Sequence, residues 1–503
     1  MDFFTSSLHW KERAQIIIKI VTYLLIAFYF FLNFQGSPAL KWVYPLFIII
    51  AIISISLFDL KGSVIPILAL CFVEGQGRVL WSYHPVMRII FDFTILLAFL
   101  KSLIKHQFVF PIKQIPKPFL FALLFHFLWF FVQIFNIKNV GYVGVIAASK
   151  IYIFPFLVLF LFLMNPFQED KKLMTELILF VCIMFILEGT LSNHQMKLGE
   201  DFLYGITGYY RKATKNIFTG IAFRPFGTGH LPGAISTYFM LTIGFMFLIP
   251  TKNFWIKALK ALAIVVSLFS LFIMQVRASL IKELLILMIL TLVLLLNSAN
   301  RSAHFLKSVI LTSIAILLIG FAPPMEKLFP DLNLKMSTER LMKLKNTKKI
   351  SEHRASPSLF LSVMKEKLTD NPLGLGPGRT GAASGIASNA IKNDPVYGVE
   401  YSWTHDNLYI SLAIDLGFGM IFYLMLIFGF PLALIYYSFF VPVTSQSYRI
   451  IAISAITPLV LVIGNWGALG IPYNPESFFF WFWVAIGLNE VNKSIRYKES
   501  KNL

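Results

Sequence analysis

Four short segments hold the residues whose types and spacing could do chemistry, and arginine recurs among them. In the stretch AFRPFGTGH over 222–230, Arg224 is followed by Pro225, Gly227 and Gly229, with Pro232 and Gly233 close behind. That composition makes an irregular, tightly packed approach to a helix, where free N–H groups and the positive end of the helix dipole meet a guanidinium. Such a place suits an anion. In MQVRAS over 274–279, Arg277 lies in a short link between two apolar runs. Its planar fork matches two phosphate oxygens and stays charged beside lipid. Both arginines also have a plainer reading, as side chains that snorkel to lipid headgroups. The third segment, NPLGLGPGR over 371–379, spaces Gly374, Gly376 and Gly378 two apart before Arg379. It is a turn first, and a phosphate cradle only with further support.

The fourth segment, YSWTHDNLYISLAIDLGFG over 401–419, puts His405, Asp406 and Asn407 at the start of an apolar helix. Asp or Asn there is an ordinary N-cap. A titratable group held at a membrane interface beside basic residues is also what proton abstraction from a sugar hydroxyl requires. Other chemistries lack their residues: there is no GxxxxGK[ST], no HExxH and no paired CxxC, and the nine histidines are scattered. Nucleotide hydrolysis, a zinc site and any other metal or cofactor are therefore not expected. Cys71 and Cys182 sit singly in apolar runs, so no disulfide framework follows. His126 lies inside an apolar run and reads as a hydrogen-bonded core residue, while Arg88, Asp92, Lys150, Lys282 and Glu283 read as mutual partners within a helical bundle.

The elements that must position these segments are membrane helices. Of 503 residues, 57% are hydrophobic and only 14% charged, against about 25% charged in soluble domains, and 52 are Phe. Runs such as Phe119–Val132 and Leu284–Leu296 carry no Asp, Glu, Lys or Arg. A soluble globular chain is excluded, and an all-α polytopic bundle of about 12–14 spans is expected. Hydropathy places these near 15–33, 42–58, 62–74, 84–100, 118–136, 141–164, 172–190, 231–250, 258–275, 279–297, 306–323, 408–436, 450–465 and 477–490. The third is short enough to be re-entrant, and the first reads as an uncleaved helix. Lys101, Lys105, Lys113 and Lys117 between two spans, and Lys493, Arg496, Lys498 and Lys501 in the tail, put both places on the cytoplasmic side. Residues 191–230 then form an outer loop within 1–323. Residues 324–407 form one large extracytoplasmic loop with short helices, and 408–503 return as the last spans and a cytoplasmic tail. The large loop has nine Lys and three Arg (Arg340, Arg354, Arg379) against nine acids. With a net charge of +19, the basic surplus points to membrane lipids and anionic ligands and away from nucleic acid, for which no soluble basic domain exists. No internal repeat is visible, which lowers the weight of pseudo-symmetric transporters.

In this order, the four segments resemble the O-antigen ligase and Wzy-type O-antigen polymerase superfamily, over about 220–425. RPFGT at 224–228 matches the family's Arg-x-x-Gly-Thr approach to a helix, Arg277-Ala278 its outer-turn arginine, and NPLGLGPG at 371–378 its Pro-Leu-Gly-x-Gly-Pro-Gly turn. The resemblance implies a membrane-embedded, metal-independent, inverting glycosyltransferase of the bacterial inner membrane, with its active site on the periplasmic face. Its donor would be a glycan on undecaprenyl pyrophosphate, and a chain-length regulator would be a candidate partner. In that picture Arg224, Arg277, Arg354 and Arg379 hold the pyrophosphate, Gly376, Gly378 and Asn407 support the site, and the base is His405 or Asp406. Aligning Asn407 and Gly417 puts Asp406 on the family's histidine, a variant closer to polymerases. Aligning His405 instead leaves Asp where Asn is expected. The expected function is polymerisation of lipid-linked repeat units. The alternative is an O-antigen ligase or O-oligosaccharyltransferase acting on lipid A-core or protein, and a lipid-linked-glycan flippase ranks below both.

Overall fold

The computed structural model describes residues 2–296, 357–380, 408–464 and 475–501, apart from short gaps at 83, 137–141, 168–169, 208–223, 231, 252, 275 and 441–442. In chain order the helices are α1 (Asp2–Phe34), α2 (Leu40–Leu57), α3 (Leu60–Leu80), α4 (Pro85–Lys105), α5 (Lys117–Ile134), α6 (Tyr142–Tyr152), α7 (Pro155–Met164), α8 (Lys171–Leu198) and α9 (Glu200–Thr207). They continue as α10 (Pro232–Thr242), α11 (Phe245–Leu248), α12 (Phe254–Ile273), α13 (Arg277–Leu296), α14 (Pro357–Asp370), α15 (Leu408–Leu416), α16 (Met420–Phe440), α17 (Ser445–Gly464) and α18 (Glu476–Lys501). Among the described residues no strand occurs, and nine helices are long and apolar enough to cross a membrane. The architecture is that of an all-helical, multi-pass membrane protein. The expected span 306–323 lies outside the described residues, as does most of 324–407, within which α14 is a short helix of 14 residues.

The helices gather into two compact units, one of α1–α4 with α8–α13, the other of α5–α7 with α14–α18. Local signals set their ends. Asp59 caps α3 by accepting from Gly62 N at 3.3 Å, Asp170 caps α8 through Leu173 N at 3.0 Å, and Asn253 caps α12 through Trp255 N at 2.8 Å. Gly199, at φ +61°, ends α8. Lys101 Nζ donates to the carbonyls of Ile55, Ser56 and Phe58 at 2.5, 2.9 and 2.7 Å, putting a cation on the last turn of α2 and the link after it.

In the first unit α3 is the central helix: 94% of its most apolar window is buried, against 28% for α5 in the other unit. The span expected at 62–74, short enough to be re-entrant, is a full helix of 21 residues. Glu74, Gly75, Gln76, Gly77 and Arg78 lower its hydropathy, but its neighbours are protein and not lipid, so polar groups are tolerated. Residues 191–207, expected within an outer loop, are mostly helical, in the end of α8 and in α9. In the second unit α16, α17 and α18 pack on one another, and α5 packs on α16. Trp481 and Trp483 are fully buried, with the Trp481 ring 4.5 Å from that of Phe156. Three expected spans are interrupted: 231–250 parts at 243–244 between α10 and α11, and two others part in the second unit. Residues 153–154 separate α6 from α7 ahead of Pro155, and a 3-10 turn, Gly417–Gly419, separates α15 from α16.

Candidate functional site

The turn that follows Arg224 is held on three sides. Gln195 on α8 accepts from Phe226 N and Gly227 N, both at 2.9 Å, and donates to Gly227 O at 2.9 Å. Glu188, two turns earlier on the same face of α8, accepts from Thr228 N at 3.0 Å, and its other oxygen meets the Thr228 hydroxyl. That hydroxyl also lies 2.8 Å from Phe72 O, while Thr228 O accepts from Gln76 N at 2.6 Å. Phe72 O and Gln76 N are groups that an α-helix joins to each other, so Thr228 bridges one rung of α3. The approach requires a glycine: a Cβ on Gly75 would stand 2.6 Å from His230 N and 2.8 Å from Gly229 Cα. Glu188, Gln195 and Thr228 are all fully buried. Beside them Arg78 donates to Glu74 at 2.5 Å.

These contacts change the sequence-level picture of this segment. The amides expected to be free for an anion are taken by Gln195 and Glu188, so the turn is a mount for Arg224. Arg224, half-buried, donates from Nε to Met274 O at 3.2 Å. Met274 ends α12, and Arg277 opens α13 three residues later. The structure therefore brings the Arg224 segment onto the link that carries Arg277.

The second turn, 371–380, is built in the other unit by the same means. Its first half lies across the break between α15 and α16. Leu375 N donates to Ile414 O at 2.7 Å and Phe418 N to Pro372 O at 2.8 Å. Gln133 and Asn136 donate to Leu373 O at 2.5 Å and Gly374 O at 3.2 Å, and Trp129 to Leu416 O at 2.8 Å. Gly374 and Gly417 make this contact possible, since a Cβ on Gly374 would lie 2.6 Å from Asp415 O and one on Gly417 would strike Pro372 O. Both glycines also have positive φ, +87° and +56°. The second half is held by Asp415, which is 1% exposed. It accepts from Gly378 N at 3.2 Å, Thr380 N at 3.0 Å, the Thr380 hydroxyl at 2.8 Å and the Tyr152 hydroxyl at 3.0 Å. Arg379 stands between the two amides, half-buried. The N–H of Gly378, one of the three glycines that suggested a cradle, thus faces the chain's own carboxylate.

His405, Asp406, Asn407 and Arg354 lie outside the described residues. Arg224 and Arg379 belong to different units, as do Arg277 and Arg379. Sequence reading missed Glu188, Gln195, Asp415 and Thr380, and had Thr228 only as the last residue of the RPFGT motif. The available signal was the lone acid in each of two apolar runs, because an ionisable residue inside a span is retained for function or to satisfy polar groups. No family model matches this chain, and none of the curated proteins matches it.

Proposed function

We propose that this protein polymerises oligosaccharide repeat units carried on undecaprenyl pyrophosphate, at the periplasmic face of the bacterial inner membrane, by metal-independent inverting glycosyl transfer. The observation that supports this best is the mounting of Arg224: a buried turn holds it, and its side chain reaches the link before Arg277. Two guanidinium-bearing segments meeting at helix ends suit a diphosphate, whose negative charge grows as it leaves. The acceptor sugar oxygen forms the new bond to the anomeric carbon while the bond to pyrophosphate breaks. His405 or Asp406 takes the hydroxyl proton, and undecaprenyl pyrophosphate departs with the electron pair. A chain-length regulator is the partner this reaction calls for. Transfer of the finished glycan to lipid A-core or protein uses the same clamp with a different acceptor and is the second reading.

Deletion of the gene followed by gel analysis of the cell's surface glycan tests the proposal. A single repeat unit on the lipid core is expected. Full-length polymer left on its lipid carrier would instead make the protein a ligase, and repeat units retained inside the cell would make it a flippase.

A further inference from the structure

The two arginine-bearing turns share one device. In each, a buried carboxylate on a membrane helix accepts the amide of a threonine and meets that threonine's hydroxyl: Glu188 with Thr228, Asp415 with Thr380. In each, the hydroxyl also lies against a helix carbonyl, Phe72 O at 2.8 Å or Ser411 O at 3.2 Å. The second case is the sharper one. Asp415 receives the amides immediately before and after Arg379, so the backbone of that residue is pinned at both ends by a single side chain.

We propose that Asp415 is a positioning residue whose role is to fix Arg379, through a latch of Gly378, Thr380 and Tyr152 around its carboxylate. Its functional consequence rests on the polymerase reading, in which Arg379 holds the pyrophosphate; the latch itself does not. Each oxygen of Asp415 takes two donors: Oδ1 the Thr380 amide and hydroxyl, Oδ2 the Gly378 amide and the Tyr152 hydroxyl. The two hydroxyls can also accept, but the two backbone amides can only donate, so an acceptor is required at both oxygen positions. An asparagine must turn its NH2 group toward the Gly378 or the Thr380 amide whichever way it lies, so the nearest isostere opens the latch. The first half of the turn has its own bonds to α15, to the 3-10 turn after it and to α5, so it stays seated when the second half is freed. An acid that merely satisfied its own burial would need donors, but it would not need both amides that flank an arginine.

Amide hydrogen exchange on the purified full chain in detergent reads the latch without reference to activity. Asp415→Asn is expected to speed exchange about tenfold over 376–380 while leaving 224–230 unchanged. Thr380→Val, which removes one donor and keeps the carboxylate, serves as the milder variant should Asp415→Asn fold poorly, and shows the same change to a lesser degree. Unaltered exchange over 376–380 in the folded variants overturns the proposal. Surface-glycan length reads the consequence: Asp415→Asn combined with Arg379→Ala is expected to be no worse than Arg379→Ala alone. Further loss in the double variant would show that Asp415 does not act through Arg379, and would also overturn it. Faster exchange beside normal glycan from Arg379→Ala supports the latch and removes Arg379 from the proposed reaction, so the two failures are told apart.

Discussion

Glu188 and Asp415 are acids in apolar surroundings, and both oxygens of each carboxylate are engaged by the turn that an arginine accompanies. Burying a carboxylate is costly unless donors replace its water, and a buried donor or acceptor left without its partner costs about 1–3 kcal/mol. These residues therefore act as mounts for two turns, and the proposed function gives the proton transfer to His405 or Asp406. The two compete. Histidine has the better ordinary pKa for a base at neutral pH, about 6.5 against about 3.9. In the proposed reaction we take His405 as the base, with Asp406 as its orienting partner. His405→Gln is then expected to abolish polymer, and Asp406→Asn to reduce it; gels of surface glycan at matched protein levels measure both. A fully active His405→Gln beside an inactive Asp406→Asn reverses the assignment. The anchoring acids escaped sequence reading because Glu188 and Thr228 lie 40 residues apart and Asp415 and Thr380 lie 35 apart, and no spacing rule joins them.

The elements explain why the arginine-bearing turns were legible and their supports were not. Gly-rich turns announce themselves locally, whereas a helix break depends on what packs into it. The run 408–436 reads as one span, yet α15 and α16 part at Gly417 because residues 372–375 bond to the backbone there. Discontinuous helices at membrane depth occur where protein or a cavity satisfies the freed backbone groups, and the 371–380 turn supplies those partners. Gly417→Ala drives a Cβ into Pro372 O at a residue with positive φ. The expected result is a loss of stability of at least about 1 kcal/mol, seen as a lower unfolding temperature in detergent, with polymer length reduced. An unchanged unfolding temperature would mean that the turn does not press on the break. Helix α3 was misread for a related reason. Hydropathy assumes a lipid neighbour, and its polar last turns face Thr228, Asn33 and one another: Gln76 donates to Asn33 at 2.6 Å.

At the scale of the molecule, the all-helical membrane architecture was legible from composition and run length, because no other fold buries so many apolar residues in uninterrupted stretches. Division into two units was not, since it depends on which helices pack and not on their order. From the Lys-rich short loops we expect 324–407 on the periplasmic side. Cysteine at Ser358, near the start of α14, is expected to react with an impermeant thiol reagent in outer-membrane-permeabilised cells, when the native Cys71 and Cys182 are replaced by alanine. Labelling only after the inner membrane is broken would invert the topology and put the arginines on the wrong face for a lipid carrier that has already been flipped.

In the proposed function this chain itself joins lipid-linked repeat units and releases undecaprenyl pyrophosphate. The most direct measurement of this is made on the purified protein in lipid nanodiscs, without added metal, supplied only with undecaprenyl-pyrophosphate-linked repeat units. The account predicts a ladder of lengthening glycans, one undecaprenyl pyrophosphate released per bond formed, and loss of both in Arg224→Lys, where the ammonium cannot offer a bidentate fork. Intact donor with no ladder and no release, from protein that is folded and binds that donor, would contradict it.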